Sequence, residues 1–266
     1  MRIGITERGD AGIDLSWVSK IDTVDGVILI TKNITNEFAS QVLTLHNKGY
    51  KLILHCTCTG FGGTEFEPNV PDYKTQLNAL KLLIDNGFPA EQCVLRIDPI
   101  FPAKRGMRLL HEVMEYFNSL QTGVTRIRVS VVDEYKHVKE RYKRHGIEPL
   151  YGARELPQNG SVTFTGRFQA NDQELWDVIE NLAMYPQTYE ICAENRMYEL
   201  AASKYAYLFE VAGCISTKDL TILGLPVSDM SINPQNRNGC HCLSCKTELL
   251  ERKHPCKNGC LYCYWR

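Results

Sequence analysis

Gly26-Val27-Ile28-Leu29-Ile30-Thr31-Lys32 is a short apolar run without strict alternation. Phe38, Val42 and Leu45 follow on one face of a helical pattern, and a second β-rich run occupies residues 51–59. A strand that reads as nearly continuous Val, Ile and Leu is buried on both faces, as parallel strands covered by helices are. Strand, helix and strand in this order therefore form a βαβ unit and imply a parallel sheet.

The same rhythm extends outward. Further β-rich runs lie at residues 2–6, 93–98, 125–132 and 188–194. Leu77, Leu80 and Ile84 share a helical face that ends at Gly87, and Leu110, Met114 and Phe117 repeat the spacing. Asn171 and Glu174 have the spacing of a capping box, opening a helix that carries Leu175, Ile179 and Leu182. Six such units predict an α/β fold, a partial or complete parallel (β/α) barrel, over residues 1–223. Residues 147–171, rich in Pro and Gly around a β-like run at 161–164, read as an insertion, a lid or a long loop. Residues 224–239 lack periodicity and read as a connector. It leads to a Cys-rich tail, and residues 224–266 are expected to pack on the barrel mouth.

The 266 residues carry 30 Lys and Arg against 31 Asp and Glu, with 44% hydrophobic residues. This is ordinary globular composition and excludes a disordered chain or a globally basic nucleic-acid binder, though not a local basic patch. The first residues lack the apolar core of a signal peptide, and no apolar run approaches the roughly 20 residues that span a bilayer. The expectation is a cytoplasmic protein with no membrane partner, whose thiols stay reduced.

Eleven cysteines are present, and six of them (Cys240, Cys242, Cys245, Cys256, Cys260 and Cys263) crowd the tail. In a reducing compartment such crowding points to metal rather than to disulfides. Two readings compete. Cys256, Cys260 and Cys263 form C-x3-C-x2-C with an aromatic before the last Cys, the spacing of radical S-adenosylmethionine enzymes. Three thiolates on one loop hold three irons of a [4Fe–4S] cube and leave the fourth open. Alternatively, Cys242-x-x-Cys245 and Cys260-x-x-Cys263 are the two knuckles of a zinc ribbon. The trio Cys240, Cys242 and Cys245 needs a fourth ligand if it holds a second cluster or zinc, and Cys214 or Cys192 can supply it.

Chemistry in parallel α/β folds sits at the carboxyl ends of strands. That rule selects Lys32, Asn33, Arg96, Asp98 and Glu194, with Thr6, Glu7, Arg8, His55, Thr57, Ser130 and Asn195 nearby. Arg96 and Asp98 point the same way on one strand and also suit a structural ion pair. Together these residues offer both charge signs to a zwitterionic ligand. Cys58, which can donate a hydrogen atom, and Asp133 are the candidate catalytic groups, although Cys56 and Cys58 equally suit simple packing. Residues 136–145 hold five Lys or Arg and one Glu. They read either as a solvated helix face or as a contact to a nucleic-acid backbone, with Tyr135 and Tyr142 placed to stack on bases.

Several short motifs occur in an order that resembles the DUF1848 family, whose carboxyl-terminal cysteines mimic the radical S-adenosylmethionine motif. They are Val24-Asp25-Gly26-Val27-Ile28-Leu29-Ile30-Thr31-Lys32-Asn33, Glu67-Pro68-Asn69-Val70-Pro71, Arg96-Ile97-Asp98-Pro99-Ile100, Cys192-Ala193-Glu194, Gly213-Cys214-Ile215 and Gly259-Cys260-Leu261-Tyr262-Cys263-Tyr264. The family's amino-terminal S-R-R-T-D-I-P is only partly matched by Thr6-Glu7-Arg8-Gly9-Asp10-Ala11-Gly12. The resemblance implies a cluster loop placed last in the chain and folded back over the mouth. It implies S-adenosylmethionine as cofactor, cleaved to a 5′-deoxyadenosyl radical, with Lys32, Asn33, Arg96, Asp98, Glu194 and Tyr262 around it. It also implies a reductant such as flavodoxin or ferredoxin, and an isomerase, lyase or transferase reaction, with a DNA or RNA base as one substrate class. A zinc-ribbon nucleic-acid-binding protein and a non-catalytic iron–sulfur electron-transfer or sensor protein stand as the alternatives.

Overall fold

The computed structural model describes residues 1–147, 154–155, 167–227, 231–232, 240–251 and 256–265. The elements run β1 (Ile3–Ile5), β2 (Gly26–Thr31), α1 (Asn36–Asn47), β3 (Leu52–Thr57), α2 (Tyr73–Asp85), β4 (Cys93–Ile100), α3 (Lys104–Ser119) and β5 (Ile127–Val131). They continue with β6 (Glu134–Tyr135), α4 (Lys136–Arg144), β7 (Arg154–Glu155), β8 (Arg167–Gln169), α5 (Asp172–Ala183) and β9 (Tyr189–Cys192). The chain ends with α6 (Asn195–Tyr205), β10 (Phe209–Ala212), α7 (Thr217–Ile222) and β11 (Lys246–Glu248).

Eight strands form one sheet in the order β10-β9-β5-β4-β3-β2-β1-β11, and every pairing is parallel. The sheet curls into a half-barrel. Alternation along each strand sends Leu29, Leu54, Leu95 and Val129 to the convex face, against Phe38, Leu77, Leu110 and Val178 of the covering helices. It sends Ile3, Ile28, Ile53 and Val94 to the concave face, where they meet Leu220 and Leu223. The apolar side chains of both layers are buried, which is why the strands read as continuous apolar runs. The Asn171 capping box is present, with Glu174 N–H donating to Asn171 at 3.0 Å and Asn171 N–H donating back to Glu174 at 2.8 Å.

The concave face also holds charge. Arg126 and Arg128 grip Glu190, with Arg126 Nε at 2.7 Å, and Arg126 reaches Asp219 of α7 at 2.7 Å. Arg128 Nη1 lies 3.3 Å from His55 Nε2 and donates to the Cys214 carbonyl at 3.2 Å. Burial together with these guanidinium charges holds His55 well below its ordinary pKa, so it stays neutral.

Two strands of the eight-stranded sheet escape the sequence reading. β10 is too short for its alternation to register. β11 belongs to the Cys-rich tail and pairs with β1, so part of residues 224–266 lies within the sheet itself. The tail also touches the opposite edge. Leu243 N–H donates to the Ile215 carbonyl at 3.2 Å, and Ile3 N–H donates to the Cys245 carbonyl at 2.8 Å. A Cβ on Gly213 would stand 2.6 Å from the backbone of Cys242. Only glycine permits that approach. The tail thus bridges the open seam between β10 and β11.

Of the expected insertion, β7 and β8 are described, and with β6 they form a separate antiparallel sheet in the order β6-β8-β7. The β-like run at 161–164 lies outside the described residues, as does most of the connector at 224–239. Among the described residues no helix is long and apolar enough to cross a membrane.

Candidate iron–sulfur and cofactor site

Residues 256–263 lie over the carboxyl ends of β2, β3 and β4, held by side chains from all round the mouth. Asn258 donates to Asp10 at 2.6 Å. Asn69 donates to the Lys257 carbonyl at 2.8 Å, and Leu261 N–H to the Phe66 carbonyl at 2.9 Å. Arg141 of α4 donates to the Leu261 and Cys263 carbonyls at 2.6 and 3.0 Å. Gly259 sits at φ +69, a backbone shape that favours glycine and turns the chain between Cys256 and Cys260. Cys260, Leu261 and Tyr262 pack into an aromatic cluster with Phe61, Phe101 and Tyr142.

This loop carries three thiols, Cys256, Cys260 and Cys263, of which Cys260 is buried. Burial pushes the Cys260 thiol up to about 12, opposed by the Lys32 ammonium. Lys32 Nζ donates to Glu67 at 2.9 Å, and Tyr262 donates to the same Glu67 oxygen. Thr59 donates to the other Glu67 oxygen at 2.7 Å. Burial works against the Lys32 charge, but the Glu67 carboxylate outweighs it and raises its pKa. Asp10 accepts from Thr31 Oγ1, from the backbone N–H groups of Gly12 and Lys32, and from Asn258. Burial still raises its pKa.

Arg96 and Asp98 form the ion pair expected from their shared strand face, and Ser130 donates to Asp98. Burial opposes the Asp98 charge, but Arg96 lowers its pKa below the ordinary carboxylate range. Asn33 uses its carbonyl to accept from Thr31 and Thr35. Glu194 occupies the position before α6 and is buried. Asp133 accepts from Gln169 at 2.8 Å.

Some expected placements differ. Cys56 and Cys58 point to the convex layer and pack beneath the helices, so neither opens to the mouth through its own strand face. Burial pushes the Cys58 thiol up to about 12. Tyr135 and Tyr142 are buried at 5% and 1% exposure, which removes them as base-stacking rings. Within residues 136–145, Arg141 is committed to the cysteine loop, whereas Lys136, Lys143 and Arg144 are exposed. Cys240 and Cys245 pack against the cluster that holds Cys214 and Cys242, and Cys240 hydrogen-bonds Cys242. The zinc-ribbon pairing does not form either, because Cys242 and Cys260 pack in separate clusters.

Asp10, Glu67, Asn69, Asn258 and Arg141 escape the strand-end rule because they sit on loops and a helix. The E-x-N-V-P match at Glu67 and Asn69, and the partial amino-terminal match that includes Asp10, are the signals available for three of them.

A family model described as a domain of unknown function (DUF1848) matches residues 14–265. The chain belongs to the DUF1848 family. Its motif loops, 67–71 and 256–263, are the segments that meet at the mouth. No curated protein matches the chain. Among solved structures, one variant of spore photoproduct lyase aligns with a TM-score of 0.46 and 13% identity, covering 73% of this chain and 54% of that one. A second variant gives 0.47 and 12%, over 74% and 55%. The lyase complexed with dinucleoside spore photoproduct gives 0.45 and 13%, over 73% and 54%. This DUF1848 chain spans about half the length of those proteins.

Proposed function

We propose that this protein is a radical S-adenosylmethionine enzyme whose cluster loop follows the barrel strands in the chain. The observation that carries the reading is the seating of Cys256, Cys260 and Cys263 over the mouth, with their neighbouring carboxylates already engaged. Asp10 and Glu67 spend their oxygens on hydrogen bonds from the protein. The loop therefore offers three thiols, and neither carboxylate is placed to fill a fourth iron position. This donor set fits a [4Fe–4S] cluster with an exchangeable site. When bound, such a cluster with S-adenosylmethionine supplies the 5′-deoxyadenosyl radical, given an electron from a reductant of the flavodoxin or ferredoxin kind.

The chain's own residues then bind and orient. Lys32 and the Arg96–Asp98 pair present both charge signs, which suits the amino and carboxylate groups of a methionyl moiety. Asn33 and Glu194 complete the strand-end polar ring, and Tyr262 fixes one wall through Glu67. The aromatic cluster of Phe61, Phe66 and Phe101 keeps water from the loop's inner side. A substrate containing a DNA or RNA base is supported by exposed Lys136, Lys143 and Arg144, on the helix that grips the loop.

The test is anaerobic purification and reconstitution followed by reduction in the presence of S-adenosylmethionine. The expected result is a coloured protein with iron and sulfide that releases 5′-deoxyadenosine, an activity abolished in Cys260→Ala. A coloured, redox-active protein that never cleaves the cofactor would make it an electron-transfer or sensor protein. A colourless protein with zinc at this loop would refute the reading altogether.

A further inference from the structure

A second set of thiols lies across the seam, at the carboxyl ends of β1, β9 and β10. Glu7, Cys214 and Cys242 each bring one ligand atom within 4.8 Å of the others. Cys192, the last residue of β9, places its Sγ 3.7 Å from that of Cys214. Zinc–sulfur bonds of about 2.3 Å in a tetrahedron put two thiolates roughly 3.8 Å apart. A cubane cluster spaces its thiolates more widely, since each takes its own iron. The Cys192–Cys214 spacing is that of two thiolates sharing one ion, and Glu7 and Cys242 gather on the Cys214 side.

We propose that Cys192, Cys214, Cys242 and Glu7 form a mononuclear site for a thiophilic divalent cation such as zinc, which staples the open edges of the half-barrel. Cys192 and Cys214 belong to the β9–β10 edge, Glu7 to the β1–β11 edge, and Cys242 to the tail segment between them. Soft thiolates dominate the donor set, as a zinc-class ion requires. Charge is partly offset as well. Three thiolates and one carboxylate exceed a divalent ion by two negative charges, and two cations flank them, one of them shared with Asp98. Arg96 Nη2 lies 3.8 Å from the Cys214 sulfur, and Lys246 is paired with Glu7. The backbone is prepared for the same contact, because Cys214 N–H donates to the Cys242 sulfur at 3.2 Å. Such N–H···S bonds orient metal-bound thiolates. Cys240 hydrogen-bonds Cys242 but is not part of the Glu7–Cys214–Cys242 group. Its ligands are not those of the proposed radical centre, and its test does not depend on that centre.

The experiment uses the full chain carrying Cys256→Ala, Cys260→Ala and Cys263→Ala, so that no binding can come from the cluster loop. The metal-free protein is titrated anaerobically with Co²⁺ and then with Zn²⁺. The expected result is one equivalent of cobalt with intense tetrahedral d–d bands and sulfur-to-metal charge transfer, displaced by zinc. Glu7→Gln should weaken binding by more than about tenfold, and Cys245→Ser and Cys240→Ser should leave the titration unchanged. Zinc should raise the Tm of this variant. A pale octahedral spectrum, no binding, loss of binding in Cys245→Ser or Cys240→Ser, or a Tm indifferent to zinc would each overturn the proposal. Because the titration reads the unaltered ligand set directly, it stands even if Cys214→Ser fails to fold.

Discussion

Asn258 donates a 2.6 Å hydrogen bond to Asp10, a residue 248 positions earlier in the chain. Through it, the loop after β1 holds the turn that separates Cys256 from Cys260. Asp10 is buried and its other acceptor sites are filled, so the contact is specific in direction as well as in partner.

Replacing Asn258 by Ala leaves a buried carboxylate one donor short, at a cost of about 1–3 kcal/mol. We expect a lower Tm and a several-fold loss of iron retained after reconstitution. Iron and sulfide analysis alongside thermal melts checks both, and full iron retention would disprove the anchoring role.

Arg141 serves the same loop from the other side, donating to two of its carbonyls. Arg141→Ala should reduce cluster content, whereas Lys143→Glu with Arg144→Glu should not, because those two side chains face solvent. The charge-reversed pair should instead weaken salt-sensitive binding to oligonucleotides. Unchanged binding would remove the nucleic-acid substrate from the proposal without touching the cluster.

Lys32 and Glu67 form a buried pair, with Glu67 at 1% exposure. Removing only the cation strands the carboxylate, so Lys32→Met should cost about 3–5 kcal/mol, while Lys32→Met combined with Glu67→Gln should cost less. Both should lose affinity for S-adenosylmethionine, measured by calorimetry on the reconstituted protein. A cost in the double variant equal to or above that of the single one would show that the pair is not coupled.

The concave ion cluster predicts an acid limit. Burial opposes the Glu190 charge, but Arg128 and Arg126 bring its pKa down to about 2. A carboxylate depressed in the folded state stabilises fully above its ordinary value of 4.5 and loses that contribution as pH falls from there towards 2. Glu190→Gln should therefore lower stability at neutral pH, with the gap to wild type narrowing below about pH 4. Denaturant unfolding at several pH values measures this, and a gap independent of pH would exclude the linkage.

Much of this architecture is local and therefore legible. The apolar run at 26–32, the helical faces of Phe38 and Leu110 and the Asn171 capping box depend on neighbours within a few residues. So does the C-x3-C-x2-C spacing, which places three sulfurs on one loop whatever surrounds it. The Arg96–Asp98 pair follows from alternation along a single strand. The partners of that loop are different in kind. Asp10, Glu67 and Arg141 reach the cysteines only because the parallel sheet curls and brings the ends of separate strands to one mouth. Cys214 meets Cys242 and Glu7, and Cys245 does not, because the tail crosses the seam in one particular register and adds β11 beside β1. Periodicity and spacing are properties of a chain segment, whereas contacts between opposite edges of a sheet arise from its curvature and closure, which no single segment encodes.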